Sequence, residues 1–231
     1  QKSFSEIMQT CEEDVYWCTA DPAWITGLVY GIIAPFITGI QQIHFSGVYK
    51  VESWLEILQN ERVSIWYTAP TALRMLMQEN ELTISHYNFS SIKRMYSVGE
   101  PLNPEIIDWC KRNLHTCVYD TWFQSETGSI MIANHPGFKI RSGSMGKPRE
   151  GIVVEIRNEV FEPVPAGRQG FLCLKQGWDS MFRTYYNKKE EYEQKFNDAL
   201  YITGDLAKMD ADGYIWYISR ADDVINSAGH L

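Results

Sequence analysis

No two of the five cysteines, Cys11, Cys18, Cys110, Cys117 and Cys173, stand as a CxxC pair. The histidines at 44, 86, 115, 135 and 230 are scattered, with no HExxH and no zinc-finger spacing. An odd, dispersed set of cysteines argues against a disulfide scaffold and for reduced thiols in a cytoplasmic protein; the histidines argue against a zinc centre. Basic residues are outnumbered, 21 Lys and Arg against 29 Asp and Glu, for a net charge of −8. That balance excludes a nucleic-acid groove, which needs clustered cations to neutralise phosphates. The opening QKSFSEIMQTCEEDVYW has no basic region followed by an apolar block, so no signal peptide is expected.

Common phosphate and nucleophile motifs are missing too. There is no GxxxxGK[ST]; GSMGKP at 143–148 lacks the earlier glycine and the hydroxyl residue. No GxGxxG and no GxSxG occurs, and nothing in the sequence pairs a base with Ser97. Residues 22–43 carry no charge and approach membrane-spanning length. Three glycines, two prolines and two glutamines break that stretch. With Pro35 set to interrupt a helix, a buried helix of about ten residues followed by a turn is expected, and no membrane partner.

The 231 residues suffice for one large domain or two small ones, burying roughly 70% of the unfolded surface. Apolar content of 45% and aromatic content of 13% indicate a packed globular protein. Strand-like and helix-like patches alternate through the middle. Helical spacing at 51–60, 70–78 and 104–114, the last two opened by proline, separates strand candidates at 63–68, 92–99 and 116–120. Such alternation predicts βαβ units and a parallel sheet covered by helices. After about Gly143 the pattern changes to strand candidates at 151–157, 170–176, 201–210 and 214–220, with the hairpin signal DADG at 210–213. No internal repeat or low-complexity tract is present. The final NSAGHL, stopping just after a polar turn, suggests a fragment.

Acidic residues gather where predicted strands end: Glu100 in SVGEP, Asp120 and Glu126 in YDTWFQSETG, and Asp205 in YITGD. Open α/β sheets bind ligands outside the carboxyl ends of their strands. On residues alone, a pair of catalytic carboxylates of the glycosidase type and a set of polar helix-capping turns both stay open.

Six motifs in order decide more: VYWCTADPAWITG (15–27), WYTAPTALR (66–74), SVGEPLNPE (97–105), YDTWFQSETG (119–128), YITGD (201–205) and SRADDVINSAGH (219–230). Together they closely resemble the AMP-forming acyl-CoA synthetases of the adenylate-forming superfamily, and among them the acetyl-CoA synthetase family, over about residues 12–230. The resemblance implies an α/β fold, part of the layered adenylate-forming N-terminal domain, in which a parallel sheet with helices adjoins a smaller antiparallel β subdomain. It implies residues 1–142 as the α/β part, 143–219 as the antiparallel part, and 220–231 as the start of a hinge to a further domain. It implies a ligase whose substrates are a carboxylic acid such as acetate, ATP and coenzyme A, with Mg²⁺ as cofactor.

Residue by residue, the resemblance places Gly99, Glu100 and Pro101 beside adenine. Asp120, Thr121, Trp122, Phe123, Gln124 and Ser125 would wrap the adenine and reach the α-phosphate. Ser125 is the hydroxyl donor to that phosphate, Glu126 the Mg²⁺ carboxylate, Asp205 the acceptor for both ribose hydroxyls, and Arg220 the ribose support. Trp24, Ile25, Thr26, Val98 and Phe123 would enclose the acyl group, with Thr26 also on the coenzyme A path and Asp222 at the hinge. Departures follow. The family's Ser/Thr/Gly-rich phosphate loop and its C-terminal lysine domain have no counterpart here, so this chain alone is expected neither to form an acyl-adenylate nor to close over coenzyme A. Ala228 stands where the family has Ser, Leu231 where it has Arg, and Phe123 where a tryptophan blocks longer acyl chains. Phenyl for indole implies acetate with tolerance of propionate. Two other readings are carried: a medium-chain acyl-CoA synthetase, and a non-catalytic module binding nucleotide or a partner. Uncovered sheet edges and apolar faces would further favour self-association.

Overall fold

The computed structural model describes residues 1–221. Its first half runs α1 (Lys2–Met8), β1 (Val15–Cys18), a π-helix (Thr26–Ile33) leading into α2 (Ala34–Thr38), β2 (Gln41–Ile43), α3 (Val51–Asn60), β3 (Ile65–Thr68), α4 (Pro70–Met77), α5 (Glu81–Ser85), β4 (Arg94–Ser97), α6 (Pro104–Asn113), β5 (Val118–Trp122), β6 (Ile132–Ala133) and β7 (Lys147–Pro148). The strands form one sheet in the order β2-β1-β3-β4-β5-β6-β7, parallel through β5 and antiparallel for the last two pairings. The predicted parallel sheet and its helices are therefore present, and the sheet continues past Gly143.

Strands buried on both faces read as unbroken apolar runs, and all four residues of β3 are buried. Their side chains alternate between two cores, as a two-residue period dictates. Trp17, Trp66 and Met95 point to one face, where α3, α4 and α6 supply Trp54, Leu55, Leu73, Ile106 and Trp109. Tyr16, Ile65, Tyr67 and Tyr96 point to the other, against Phe4, Ile7 and Tyr30. Trp17 stacks on Trp66 at 6.1 Å and meets Trp54 edge-on at 5.2 Å. Aromatic pairs of this kind add about 0.5–1.5 kcal/mol each beyond their burial.

The expected break at Pro35 does not occur. Pro35 stands in the first turn of α2, where a missing N–H is tolerated, so the helical path continues from Thr26 to Thr38. Nor is this helix buried all round. Gly27, Tyr30 and Ala34 face inward at helical spacing, while Leu28, Phe36 and Ile37 are exposed. Among the described residues, no helix is long and apolar enough to cross a membrane.

The second half contains β8 (Val154–Arg157), β9 (Gln169–Lys175), α7 (Lys189–Glu193), β10 (Phe196–Asn197), β11 (Leu200–Met209) and β12 (Ile215–Arg220). It is antiparallel, ordered β10-β11-β9-β8 with β12 also on β11, and the 210–213 turn joins β11 to β12 as its sequence predicts. Trp122 and Ile132 of the first sheet lie in the same core as Leu172, Tyr201 and Ile215 of the second. The two sheets are stitched at Gly146, whose amide segment bridges to Ile215. A side chain there would strike the Ala133 carbonyl at 2.0 Å, and φ is +97°, so glycine is required.

At the amino ends of β1, β3 and β4 a fully buried Asp14 ties the strands together. Its Oδ1 accepts from Ser64 Oγ and Lys93 Nζ, each at 2.8 Å, and its Oδ2 from the Cys11 amide at 3.0 Å and Arg94 at 3.1 Å. Burial alone would raise its pKa, but the bonds from Lys93, the Cys11 amide and Ser64 outweigh it and hold the carboxyl down at about 2.

Candidate functional site

At the opposite, carboxyl edge of the parallel strands, β4 and β5 end side by side. Parallel pairing sets Ser97 against Asp120, so the Ser97 hydroxyl donates to Asp120 Oδ1 at 2.9 Å, and the Thr121 amide donates to the same oxygen at 3.1 Å. Ser97 is thus fully buried and committed to a carboxylate, a partner its sequence neighbourhood did not reveal. Burial pushes the Asp120 carboxyl up to about 7, against the lowering effect of those two bonds. Thr121 is held in turn by Tyr67 at 2.7 Å and by the Ser97 carbonyl at 2.7 Å. The ends of β1 and β3 are closed by a 2.6 Å bond from Thr19 to Thr68, so the opening lies over β4 and β5.

β11 supplies the facing wall. Its pairing with β9 is interrupted between Ile202 and Leu206, an irregularity that re-aims the residues within it, and Asp205 lies there opposite Arg220 of β12. The Asp205 carboxylate is nearly buried. Trp122 Nε1 donates to its Oδ2 at 3.0 Å and Gln124 Nε2 at 3.1 Å, while Arg220 donates to its Oδ1 at 2.9 Å. Tyr201 OH donates to Gln124 Oε1 at 2.8 Å, fixing which end of the amide faces Asp205.

Between these walls lies a cavity of about 380 Å³, lined by Gly99, Glu100, Pro101, Asp120, Thr121, Trp122, Phe123, Gln124, Asp205 and Arg220. Ten sequence-predicted residues thus meet in one place. Glu100 turns part of its charge away, accepting from Thr71 at 2.6 and 2.7 Å and pairing with Arg74. Three donors already anchor Asp205, the residue expected to accept the ribose hydroxyls.

Val98 and Phe123 come together in the second core, where Phe123 meets Tyr30 edge-on at 5.2 Å. Trp24 stands apart from that cluster and is 73% exposed. Ile25 and Thr26 are half-buried at the start of the π-helix. Ser125 is exposed at the loop tip, and Glu126, half-buried, accepts from Tyr185 OH at 2.7 Å. Asp222, expected at a hinge, lies outside the described residues, as do Ala228 and Leu231. Sequence reasoning missed Tyr201 and Tyr185, and with them Met145 and Tyr217, which also line the cavity. Tyr201 opens the YITGD motif, so a tyrosine four residues before the acid was the available signal.

A family model described as AMP-binding enzyme matches residues 2–186. The acetyl-coenzyme A synthetase of Bacillus subtilis (strain 168) is 43% identical over 224 residues, which are 96% of this chain and 39% of that protein. That of Chlorobaculum tepidum is 37% identical over an alignment of 238 positions that covers 99% of this chain and 36% of the relative. Among solved structures, the anthranilate CoA ligase AuaEII in complex with anthranoyl-AMP matches with a TM-score of 0.89 at 27% identity, over 98% of this chain and 43% of that one. The chain thus spans about two fifths of the length of the relatives it matches.

Proposed function

The chain belongs to the AMP-binding enzyme family, and from that premise we propose that it forms the nucleotide- and acyl-binding core of an AMP-forming acyl-CoA synthetase acting on acetate or another short carboxylic acid. In the first half-reaction the carboxylate oxygen attacks the α-phosphorus of ATP and pyrophosphate leaves. In the second the thiolate of coenzyme A attacks the acyl carbon and AMP leaves. The observation that carries the reading is the meeting of Asp120, Gln124, Asp205 and Arg220 around one cavity whose wall includes Phe123. Adenine lies along Gly99–Pro101. The ribose hydroxyls donate to Asp205, oriented by Trp122 and Gln124. Ser125 donates to the α-phosphate from the loop tip, and the acyl group lies against Val98 and Phe123. Thr26 faces the coenzyme A path, Asp222 is the hinge, residues 1–142 and 143–219 are the two subdomains, and the cytoplasm is the site of action.

Magnesium fits this arrangement. Among the described residues no three acidic, histidine or cysteine side chains cluster as a cage, whereas Glu126 offers one half-buried carboxylate beside the loop tip. Mg²⁺ is held by one or two carboxylates together with substrate phosphates, so Glu126 with the triphosphate is a suitable donor set. Bound there, it supplies neutralisation of the phosphate charge.

The acyl pocket gives the test. Alkyl esters of AMP mimic the acyl-adenylate without reacting, and their binding can be titrated calorimetrically. Ethyl- and propyl-AMP are expected to differ by no more than about 10–200-fold, since one methylene is worth about 1–3 kcal/mol. Hexyl-AMP should bind more weakly than either. Affinity that rises steadily with chain length would replace this reading with the medium-chain one, and no binding of any ester would leave the non-catalytic module.

A further inference from the structure

The segment after β9 returns across the turn that carries Glu126. Trp178 Nε1 donates to the Thr127 carbonyl at 3.0 Å and Ser180 Oγ to the same oxygen at 2.7 Å. Ser129 Oγ reaches Ser180 Oγ at 2.7 Å, and the Phe182 amide donates to the Glu126 carbonyl at 2.9 Å. The turn fits under this strap because residue 128 is glycine. Its φ is +66°, and a Cβ would lie 2.4 Å from the Ser180 carbonyl oxygen. The backbone of Glu126–Ser129 is therefore fixed from the antiparallel half of the molecule, more than fifty residues further along the chain.

The same strap holds the side chain. Tyr185 OH donates to Glu126 Oε1 at 2.7 Å, and among the described residues it is the one group hydrogen-bonded to that carboxylate. The Tyr185 ring packs at 5.1 Å against Phe182, which stacks on Phe196 at 5.9 Å, so the phenol is set by packing.

We propose that Tyr185 is a positioning residue for Glu126: its phenol holds Oε1 and leaves Oε2 to meet the divalent cation that arrives with the nucleotide triphosphate. The proposal rests on the reading of Glu126 as the metal carboxylate. Groups that orient a metal ligand from behind are worth about 10–100-fold in metal affinity.

Mn²⁺ is the probe. Affinity for ATP is measured calorimetrically with and without Mn²⁺ in the unsubstituted chain, Tyr185→Phe, Glu126→Gln and, as control, Tyr186→Phe at the neighbouring residue, which is 89% exposed. Melting curves accompany each. The strengthening of ATP binding by Mn²⁺ is expected to fall about tenfold in Tyr185→Phe. Metal-free ATP affinity should hold within about twofold, and Tyr186→Phe should behave as unsubstituted. Strengthening retained by Tyr185→Phe but lost by Glu126→Gln would overturn the positioning role and leave the Glu126 reading standing. Strengthening retained by Glu126→Gln, or absent from the unsubstituted chain, would overturn that reading and the proposal with it. Parallel loss of metal-free and metal-bound affinity in Tyr185→Phe would mean a purely structural role, and would also overturn the proposal.

Discussion

Asp205→Ala is expected to lower AMP affinity by at least about 100-fold, because it removes the proposed ribose acceptor and disorders the donors around it. Trp122 Nε1, Gln124 Nε2 and Arg220 all converge on this one buried carboxylate. Each buried donor left unpaired costs about 1–3 kcal/mol, so the variant should also melt earlier. Asp205→Asn separates the two effects. It keeps the side-chain volume and one acceptor oxygen, so the fold persists. Its amide group, however, must face one of the existing donors, and AMP affinity should still fall by about tenfold or more. Calorimetric titration with AMP beside thermal melting reads both. Unchanged AMP affinity in a folded Asp205→Asn would remove Asp205 from the ligand site.

The largest loss of stability is expected far from the cavity, at Asp14. Replacing it with alanine strips Arg94, mostly buried, and Lys93, half-exposed, of the carboxylate they share, and leaves Ser64 with only its bonds to Val15. Breaking a buried ion pair costs about 3–5 kcal/mol, and with Lys93 half in water the loss here is expected at the lower end of that range, still a large share of the stability of an ordinary domain. The same carboxylate gives a pH signature. Its folded pKa of about 2 lies below the ordinary 3.8, so the stabilisation is present above pH 3.8 and is lost as pH falls through about 2. That corresponds to about 2 kcal/mol. Denaturant titrations between pH 5 and 2 should show this acid limb in the unsubstituted chain and a shallower one in Asp14→Asn. An unchanged limb in the variant would mean that Asp14 is not the group responsible.

What the residues revealed and what they hid follow from the range of the interactions. Helices α4 and α6 were readable because proline opens them and apolar residues recur at helical spacing, both local signals. β3 was readable because a fully buried strand is a continuous apolar run. β1 is only VYWC, set between acidic residues and a polar turn, and its place became visible only when it paired with β2 and β3. β6 and β7, two residues each, carry no periodicity to read. Pro35 misled because its effect depends on where in a helix it falls, and that position is set by the packing of Tyr30 and Ala34.

In the candidate site the same division holds. Asp120, Gln124 and Asp205 could be picked out from motifs, but their partners could not. Tyr201 meets Gln124 across 77 residues of sequence, and Tyr185 meets Glu126 across 59. Ser97 meets Asp120 only because β4 and β5 lie in one register. A motif names the polar groups a site needs; the folded chain decides which of them are already taken.

The central claim, that the cavity over β4 and β5 is the nucleotide site, is tested most directly by the indole N–H spectrum of the ¹⁵N-labelled chain during titration with AMP. The Trp122 indole is hydrogen-bonded to Asp205, whereas Trp17, Trp54 and Trp66 lie in the core on one face of the parallel sheet. AMP at millimolar concentration is expected to move the Trp122 resonance, assigned from Trp122→Phe, and to leave those three in place. A Trp122 resonance that stays fixed while AMP binds, or while no binding occurs at all, would contradict the claim.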